Sequence, residues 1–580
     1  MILDDTADAL PSEQDGETET EDRSVLARYG LTYVDAAIAV AALWICVAFV
    51  PALLAPSWTP RLALVVGFLP VGVGALVVDV RSRTPSAVIA GCLVGWSVVG
   101  ALLSPAWAIA LKGSIGYEQS VVVLAGCFGL WSLSRRVTPA GAELLLRVLI
   151  GALTASAVVG VLQVVLQIDT GSLTMFEGRA NGLVTHPVYF GALMAAGAAM
   201  STWRVRAVRW WLWLPFVFLF AAGISLSGSR IALGAALLGV GVACVRAPWR
   251  RALAAGATLA GGVVAGTRLL RVVESAEQNS ALDRVGATGD AVGVRLSLWR
   301  YGLDAASEKP LFGWGLGSFR QATQGRYSQQ FAADHVKSDA AVWFDAHNVV
   351  IELLVATGVV GVCLGLAFAV LVGLRLRGEL AVGVLAIVAT WMFEPAGLVT
   401  LPLVMIMVGV GEQPRRSHQL PRRGATVALV VVGAVLALGL LTADLRLERA
   451  SAGGDPASIE SASAWFWRDP VAADLVAQSW QLEALLEAGE YHEEVVESAM
   501  LATEFEPDHP RWWEKLALRH FFVGDDDEAV ASIRVALELQ PYRFSAWRYL
   551  RDLGEALDRD ELTDEANREL CGLGADDAEC

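Results

Sequence analysis

Four patches of this sequence combine residues that do chemistry with glycines that let a backbone fold tightly around them. The first is Glu177-Gly178-Arg179-Ala180-Asn181-Gly182, followed by Thr185-His186-Pro187. The second is Ser225-Leu226-Ser227-Gly228-Ser229-Arg230. The third runs from Arg295 through Trp299 to Pro310-Leu311-Phe312-Gly313-Trp314-Gly315-Leu316-Gly317-Ser318-Phe319. The fourth, Asp345-Ala346-His347-Asn348, leads into Val349-Val350-Ile351-Glu352 and then Gly358-Val359-Val360-Gly361. An arginine guanidinium is planar, permanently charged and forked, and so matches the oxygens of a diphosphate. A neutral imidazole can take a proton from an attacking hydroxyl near physiological pH. Arg230 and Arg295 as cations, with His347 as base, would suit transfer of a sugar from a lipid diphosphate, whose leaving group carries charge that can be stabilised. Arg179 would be a further contact of the same kind, and Asn348, Asp345 and His186 are candidates for supporting roles.

Each patch also has a plainer reading. Arg179 can be a snorkelling side chain in a glycine-rich turn. A lone histidine where a loop becomes a helix, such as His347, is more often a cap or an interface residue. The glycines at 313, 315 and 317 follow a proline turn, not a strand, and imply no nucleotide-binding fold. Position decides between these readings, and position depends on the elements that carry the patches.

Those elements are apolar. Of 580 residues, 55% are hydrophobic, and the mean hydropathy is +0.51. Stretches of about 20 apolar residues, each enough to cross a hydrocarbon core of ~30 Å, are read at 33–55, 60–80, 86–104, 118–134, 142–167, 185–202, 209–226, 228–246, 252–270, 348–374, 379–396, 399–412 and 425–444. Lipid leaves open backbone groups without hydrogen-bond partners, so these stretches must be helices. They lack the alternation of a β-barrel. The expected fold class is an all-α polytopic membrane protein of 12–13 transmembrane helices.

Arginine clusters set its orientation. With a cytoplasmic N-terminus, Arg81 and Arg83, Arg135 and Arg136, Arg204, Arg206 and Arg209, Arg246, Arg250 and Arg251, Arg375 and Arg377, and Arg415, Arg416, Arg422 and Arg423 all fall inside, as the positive-inside rule requires. The weakly apolar stretch 252–270 is needed to keep the last two clusters there. The expected arrangement in the cytoplasmic membrane therefore ends with the C-terminus outside. Arg230 and His347 then lie at the outer face, where no positive-inside pressure explains an arginine. A charge buried at that boundary costs several kcal/mol unless paired, which favours function.

The net charge of −16 gathers at the ends of the chain and implies no nucleic-acid partner. Acidic residues crowd the first 22 positions and recur after 445. Residues 1–30 read as a disordered acidic cytoplasmic segment, and without a basic start they are no signal peptide. The transmembrane unit spans 31–445 and includes an outer loop at 271–347, and 446–580 form an outer domain. Within that domain Pro507 and Pro541, and Trp513 and Trp547, lie 34 residues apart. This spacing reads as tetratricopeptide-like helical hairpins, serving either as a docking surface for a protein partner or as a stabilising cap. Five of the seven cysteines sit in apolar stretches, whereas Cys571 and Cys580 could pair if that end is outside the cell. No metal-ligand spacing occurs, and neither metal nor cofactor is expected.

Taken in order, these patches resemble the O-antigen ligase / O-antigen polymerase superfamily over roughly 33–412. The resemblance rests on Gly-Arg-Ala-Asn-Gly with His186-Pro187, Ser-Gly-Ser-Arg, the Arg295 to Gly317 stretch, and Ala-His-Asn with Gly358 and Gly361. It implies an undecaprenyl-diphosphate-linked glycan donor, with Arg230 and Arg295 holding diphosphate and His347 activating the acceptor. It further implies a metal-independent, inverting reaction of the GT-C type. The acceptor stays open between a glycan, a lipid and a protein hydroxyl. Two other classes compete with this enzyme. A transporter or flippase for the same lipid-linked glycan would need mid-helix charge, which is scarce apart from Glu352 and Glu394. A non-catalytic scaffold of polysaccharide assembly would tolerate loss of Arg230 and His347.

Overall fold

The computed structural model describes residues 26, 29–116, 119–168, 175–176, 178–184, 186–273, 289–335, 345–412, 423–451, 455–486 and 492–575. Most of the acidic N-terminal segment, Glu177, Thr185, Cys580 and the arginines at 415, 416 and 422 lie outside them.

Each of the apolar stretches contains a helix: Tyr33–Val47, Trp58–Arg81, Pro85–Leu102, Val121–Ser134, Pro139–Val165, Pro187–Arg204, Leu214–Leu226, Arg230–Val245, Trp249–Val273, Val349–Gly373, Gly378–Thr390, Leu401–Gly411 and Arg423–Ser451. Among the described residues, 6 are long and apolar enough to cross a membrane, and further apolar helices are shorter. Pro187–Arg204, rich in alanine and glycine, is buried along nearly its whole length. No β-strand forms among the described residues. The protein is an all-α polytopic membrane protein.

Caps and small residues explain the bundle. Thr32, Ser120, Thr138 and Ser229 each accept a backbone N–H in the first turn of the helix that follows, which satisfies donors the helix itself cannot. Gly72 meets Gly129, where a Cβ would lie 2.7 Å from the facing Cα, and Gly67 meets Gly433 just as closely. Such contacts let helix backbones approach in lipid, where apolar burial alone drives little association.

Three boundaries differ from the hydropathy reading. The first helix stops at Val47, because Pro51 removes a donor and disfavours helix before it. Gly378–Thr390 ends well short of residue 396, and 391–400 form a loop. The last apolar helix runs on to Ser451, beyond the expected domain boundary at 445.

The arginine clusters meet acidic partners at one end of the bundle. Asp79 binds Arg135 and Arg136, each at 3.0 Å, and Glu412 binds Arg375 at 2.9 Å. Arg204 bridges Glu143 and Glu379, each at 2.8 Å. The helix starts at Trp58, Pro187, Arg230 and Val349 are the ends opposite to these clusters.

The described part of the 271–347 loop carries the helices Gly289–Glu308, Phe319–Thr323 and Gln329–His335. Its Pro310–Gly315 stretch fills a break in Val349–Gly373. Gly358 there has φ +66°, outside the helical region. The carbonyls freed at Val355 and Ala356 accept the N–H groups of Trp314 and Gly315 at 2.8 and 3.0 Å, and Val359 N–H donates to Pro310 O at 2.8 Å. Trp96 donates to Thr357 O at 2.9 Å and stacks on Phe312. The backbone groups of Val355, Ala356, Thr357 and Val359 thus find partners outside the helix, as a low-dielectric setting demands.

Residues from Pro456 to Gly572 form seven further helices, which pack in successive pairs. The 34-residue spacing reappears as a repeated bond: Trp513 Nε1 donates to Pro507 O at 2.8 Å, and Trp547 Nε1 to Pro541 O at 2.7 Å. This domain sits on the 271–347 loop and the bundle. Buried Arg320 pairs with buried Glu506, Gln329 donates to Gly572 O at 3.0 Å, and Ile115 N–H donates to Asp469 Oδ2 at 3.0 Å.

Candidate active site

His347 is placed by the start of Val349–Gly373. Asn348 caps that helix, accepting from Val350 N–H at 2.9 Å and Ile351 N–H at 3.1 Å, while its amide donates to Met392 O at 3.0 Å. Asn348 is thus committed to structure, and it ties the helix start to the 391–400 loop. His347 N–H donates to Asp345 Oδ1 at 2.7 Å. Ala346 is held on both sides, its N–H donating to Glu352 Oε2 at 2.8 Å and its carbonyl accepting from Trp299 Nε1 at 2.9 Å. Trp299 lies one turn after Arg295 on Gly289–Glu308, so the same helix carries a guanidinium and steadies the His347 loop.

Glu394 joins these elements. Arg295 Nη2 donates to one of its oxygens at 3.0 Å, and His347 Nδ1 lies 3.4 Å from the other and 3.3 Å from Asp345 Oδ1. The histidine contacts are those of charge pairs, longer than well-formed hydrogen bonds. Burial alone would lower the His347 pKa, but the neighbouring Glu394 and Asp345 outweigh it and hold it above the ordinary value. His186 is pushed the other way, below its ordinary value, by burial first, with the Arg179 charge acting in the same direction against Glu394.

Arg179 and Arg230 belong to a second strand of the site. Arg179 is buried, and its Nε donates to Ser227 O at 2.8 Å; Ala180 N–H donates to Leu226 O at 3.0 Å. These bonds dock the Gly-Arg-Ala-Asn-Gly turn on the Ser-Gly-Ser-Arg turn, whose Arg230 opens Arg230–Val245. Gln163 fastens the turn from below, accepting the N–H groups of Asn181 and Gly182 at 3.1 and 2.9 Å. His186 connects the two strands of the site, since the charges of Arg179, Glu394 and His347 all act on it.

A cavity of 320 Å³ opens among Ser57, Trp58, Arg61, Val184, His186, Tyr189, Asp345, His347, Glu394, Pro395, Leu398 and Val399. A larger apolar cavity of 600 Å³ is lined by Val349, Val350, Glu352, Trp391, Met392, Ala396, Leu401 and other residues of the neighbouring helices. The 391–400 loop and the His347 helix start contribute walls to both. His347, Asp345 and His186 thus line one cavity, Arg295 reaches it through Glu394, and Arg179 lies beside His186. Arg230 adjoins Arg179 through the Ser227 turn.

Two residues of this site were not assigned to it from the sequence, although Glu394 stood out there as a scarce charge in an apolar stretch. Glu394 is flanked by Trp391, Met392, Phe393 and Ala396, so hydropathy merged it into a helix end. Arg61 sits in the first turn of an apolar helix, fully buried, where Ile45 O, Leu183 O and Ser57 O accept its N–H groups. Its isolation from every arginine cluster was the one signal that could have found it.

Residues 214–366 match the family model described as O-antigen ligase. No curated protein matches the chain. The matched segment contains Arg230, Arg295, Asp345, His347, Asn348 and the Gly358 break, and stops before Glu394. That segment, with the all-α membrane architecture around it, supports a relation to the O-antigen ligase / O-antigen polymerase superfamily.

Proposed function

We propose that the protein transfers a glycan from an undecaprenyl-diphosphate-linked donor to an acceptor hydroxyl at the outer face of the cytoplasmic membrane. The family match supports an O-antigen ligase/polymerase-type function in surface polysaccharide biosynthesis. The observation that carries the finer reading is the polar cavity at His347 beside the 600 Å³ apolar cavity. A polyprenyl diphosphate needs an apolar wall for its chain, which the larger cavity offers, and fixed cations for its head, which stand beside the polar cavity in Arg295 behind Glu394 and in the docked Arg179 and Arg230 turns. Arg295 and Arg230 hold the diphosphate in this reading, with Arg179 as a further contact. Arg295 keeps its Nε without a hydrogen-bond partner among the described residues. His347 takes the proton of the acceptor hydroxyl, and Asp345 and Glu394 steady the imidazolium that results. The attacking oxygen bonds to the anomeric carbon as the carbon–phosphate-oxygen bond breaks, which inverts that centre. The two arginines neutralise the departing diphosphate, the role a metal ion plays elsewhere.

The outward orientation has two supports. The arginine clusters gather at the end of the bundle opposite the cavity, as the positive-inside rule asks of a cytoplasmic face. Cys571, in the C-terminal helical domain, is disulfide-bonded, whereas the cysteines of the apolar helices are free; disulfides persist in oxidising compartments outside the cytoplasm. The C-terminal domain is then an extracytoplasmic, tetratricopeptide-like unit.

Mass spectrometry of envelope glycans from a strain lacking the gene tests this function. Accumulation of lipid-linked glycan is expected, as single repeat units for a polymerase and as full-length polymer for a ligase. An unchanged surface glycan and an unchanged lipid-linked pool would contradict it.

A further inference from the structure

Arg179, Arg230 and Arg295 do not line the 320 Å³ cavity, although His347 does. Asp345 and the 391–400 loop close the side nearest His347, and the opposite wall comes from two other helix starts: Ser57, Trp58 and Arg61 on one, His186 and Tyr189 on the other. The diphosphate-holding groups of the site are therefore absent from this wall, and its chemistry is of another kind. It is aromatic, with His186 packed 5.2 Å from Tyr189 and 5.7 Å from Phe176, centroid to centroid. It also holds two buried nitrogens, Trp58 Nε1 and His186 Nδ1, that have no hydrogen-bond partner among the described residues. Trp58 is 8% exposed. A buried donor left unpaired costs ~1–3 kcal/mol, so such groups call for a ligand or a function. Arg61 is the contrast: the carbonyls of Ile45, Ser57 and Leu183 accept its N–H groups, and it braces the wall.

Aromatic faces beside unpaired polar nitrogens fit a sugar. The C–H face of a pyranose lies against a ring, while its hydroxyls take up the nitrogens. A cavity of 320 Å³ is at the small end of the ~300–1,000 Å³ range for small-molecule sites. A lipid chain would leave both nitrogens unpaired.

We propose that Trp58, His186 and Tyr189 form the acceptor subsite, holding a pyranose ring of the acceptor glycan so that its nucleophilic hydroxyl meets His347. The inference rests on His347 acting as the base. The hydroxyl gives its proton to His347, its oxygen forms the new bond to the donor's anomeric carbon, and the diphosphate leaves with the electrons of the broken bond. Trp58 and His186 act on the acceptor alone.

The test uses full-length protein in lipid nanodiscs. The donor is the polyprenyl-diphosphate-linked glycan isolated from a deletion strain, held at saturation, and glycan released from the same envelope is titrated as acceptor. Trp58→Phe keeps the ring and loses the N–H; His186→Gln keeps a polar tip and loses the ring. Each is expected to raise the acceptor KM about 3- to 10-fold, the equivalent of one hydrogen bond, with the donor KM within about twofold of wild type, which also reports that the site is folded. Should Trp58→Phe fail to assemble, His186→Gln decides. An unchanged acceptor KM, a shift confined to the donor KM, or transfer to protein hydroxyls in place of the glycan would overturn the assignment. His347→Ala run alongside separates the two readings. If it is inactive while both acceptor constants stay at wild type, only the acceptor wall is wrong; if it remains active, the base assignment fails.

Discussion

His347 has φ +48°, in the left-handed region that residues other than glycine seldom occupy. Such a conformation costs on the order of 1–3 kcal/mol and survives only where its surroundings enforce it. Asp345, Glu352 and Trp299 supply that enforcement through the bonds to residues 346 and 347. The backbone that carries the imidazole is therefore fixed before any substrate arrives. Its charge environment has a kinetic consequence. A base must be neutral to accept a proton, and the His347 pKa is held above its ordinary value by Glu394 and Asp345 against the effect of burial. Transfer should rise with pH through that raised pKa and fall away below it. Glu394→Gln removes an anion that stabilises the imidazolium, so the acid limb of the rate profile should move to lower pH; an unmoved limb would detach Glu394 from the base. Arg295 shares that partner, donating from Nη2 to the other Glu394 oxygen at 3.0 Å. Arg295→Lys keeps the charge and loses the fork, and steady-state transfer should drop roughly 10- to 100-fold. A rate near wild type would mean that Arg295 serves as a point charge.

At the scale of elements, the broken helix Val349–Gly373 is the central device. Gly358 has φ +66°, and a Cβ there would sit 2.2 Å from Leu311 O. Gly313 faces it, and its own Cβ would come within 2.5 Å of Val355 O and Ala356 C. The glycine spacings in the sequence are thus explained by a loop pairing with a helix break, which brings the Arg295 helix and the His347 helix into one register. Gly358→Ala should lower the thermal midpoint in detergent and reduce transfer together, through strain of ~1–3 kcal/mol and the clash. Full activity with an unchanged midpoint would show that the break carries no such load. The helices themselves were legible in the sequence, because a run of apolar side chains in lipid has one low-energy backbone. Their ends were less so. Pro51 stops the first helix early, and apolar Trp391, Met392 and Phe393 continue the hydropathy signal past Thr390, where the helix has already ended. That overrun kept Glu394 from being assigned to the site. Arg179, Arg230, Arg295 and His347 stood out in the sequence because charge at a membrane edge is conspicuous, whereas Trp58 and Tyr189 look like any interfacial aromatic until the fold places them beside the cavity at His347.

At the scale of the whole molecule, the C-terminal helical domain is firmly joined to the 271–347 loop and the bundle. Glu506 is fully buried and accepts from Arg320, Gln321 and Trp512, and Asp469 fixes the other end of the domain to the Lys112–Ile115 turn. Removing one member of a buried ion pair typically costs ~3–5 kcal/mol, since the other charge is stranded. Glu506→Ala should therefore loosen the domain, seen as faster cleavage between the bundle and the domain in limited proteolysis of nanodisc-embedded protein; an unaltered digestion pattern would refute that coupling. Through Arg320 the domain grips Phe319–Thr323, which follows directly on the loop that fills the helix break. The bundle, the loop and the domain converge on His347. The most direct measurement of the whole account is glycan transfer by purified His347→Ala in nanodiscs, given the polyprenyl-diphosphate-linked donor and its acceptor. The expected result is a folded protein with wild-type donor binding and transfer reduced at least ~100-fold; transfer at the wild-type rate would contradict the account.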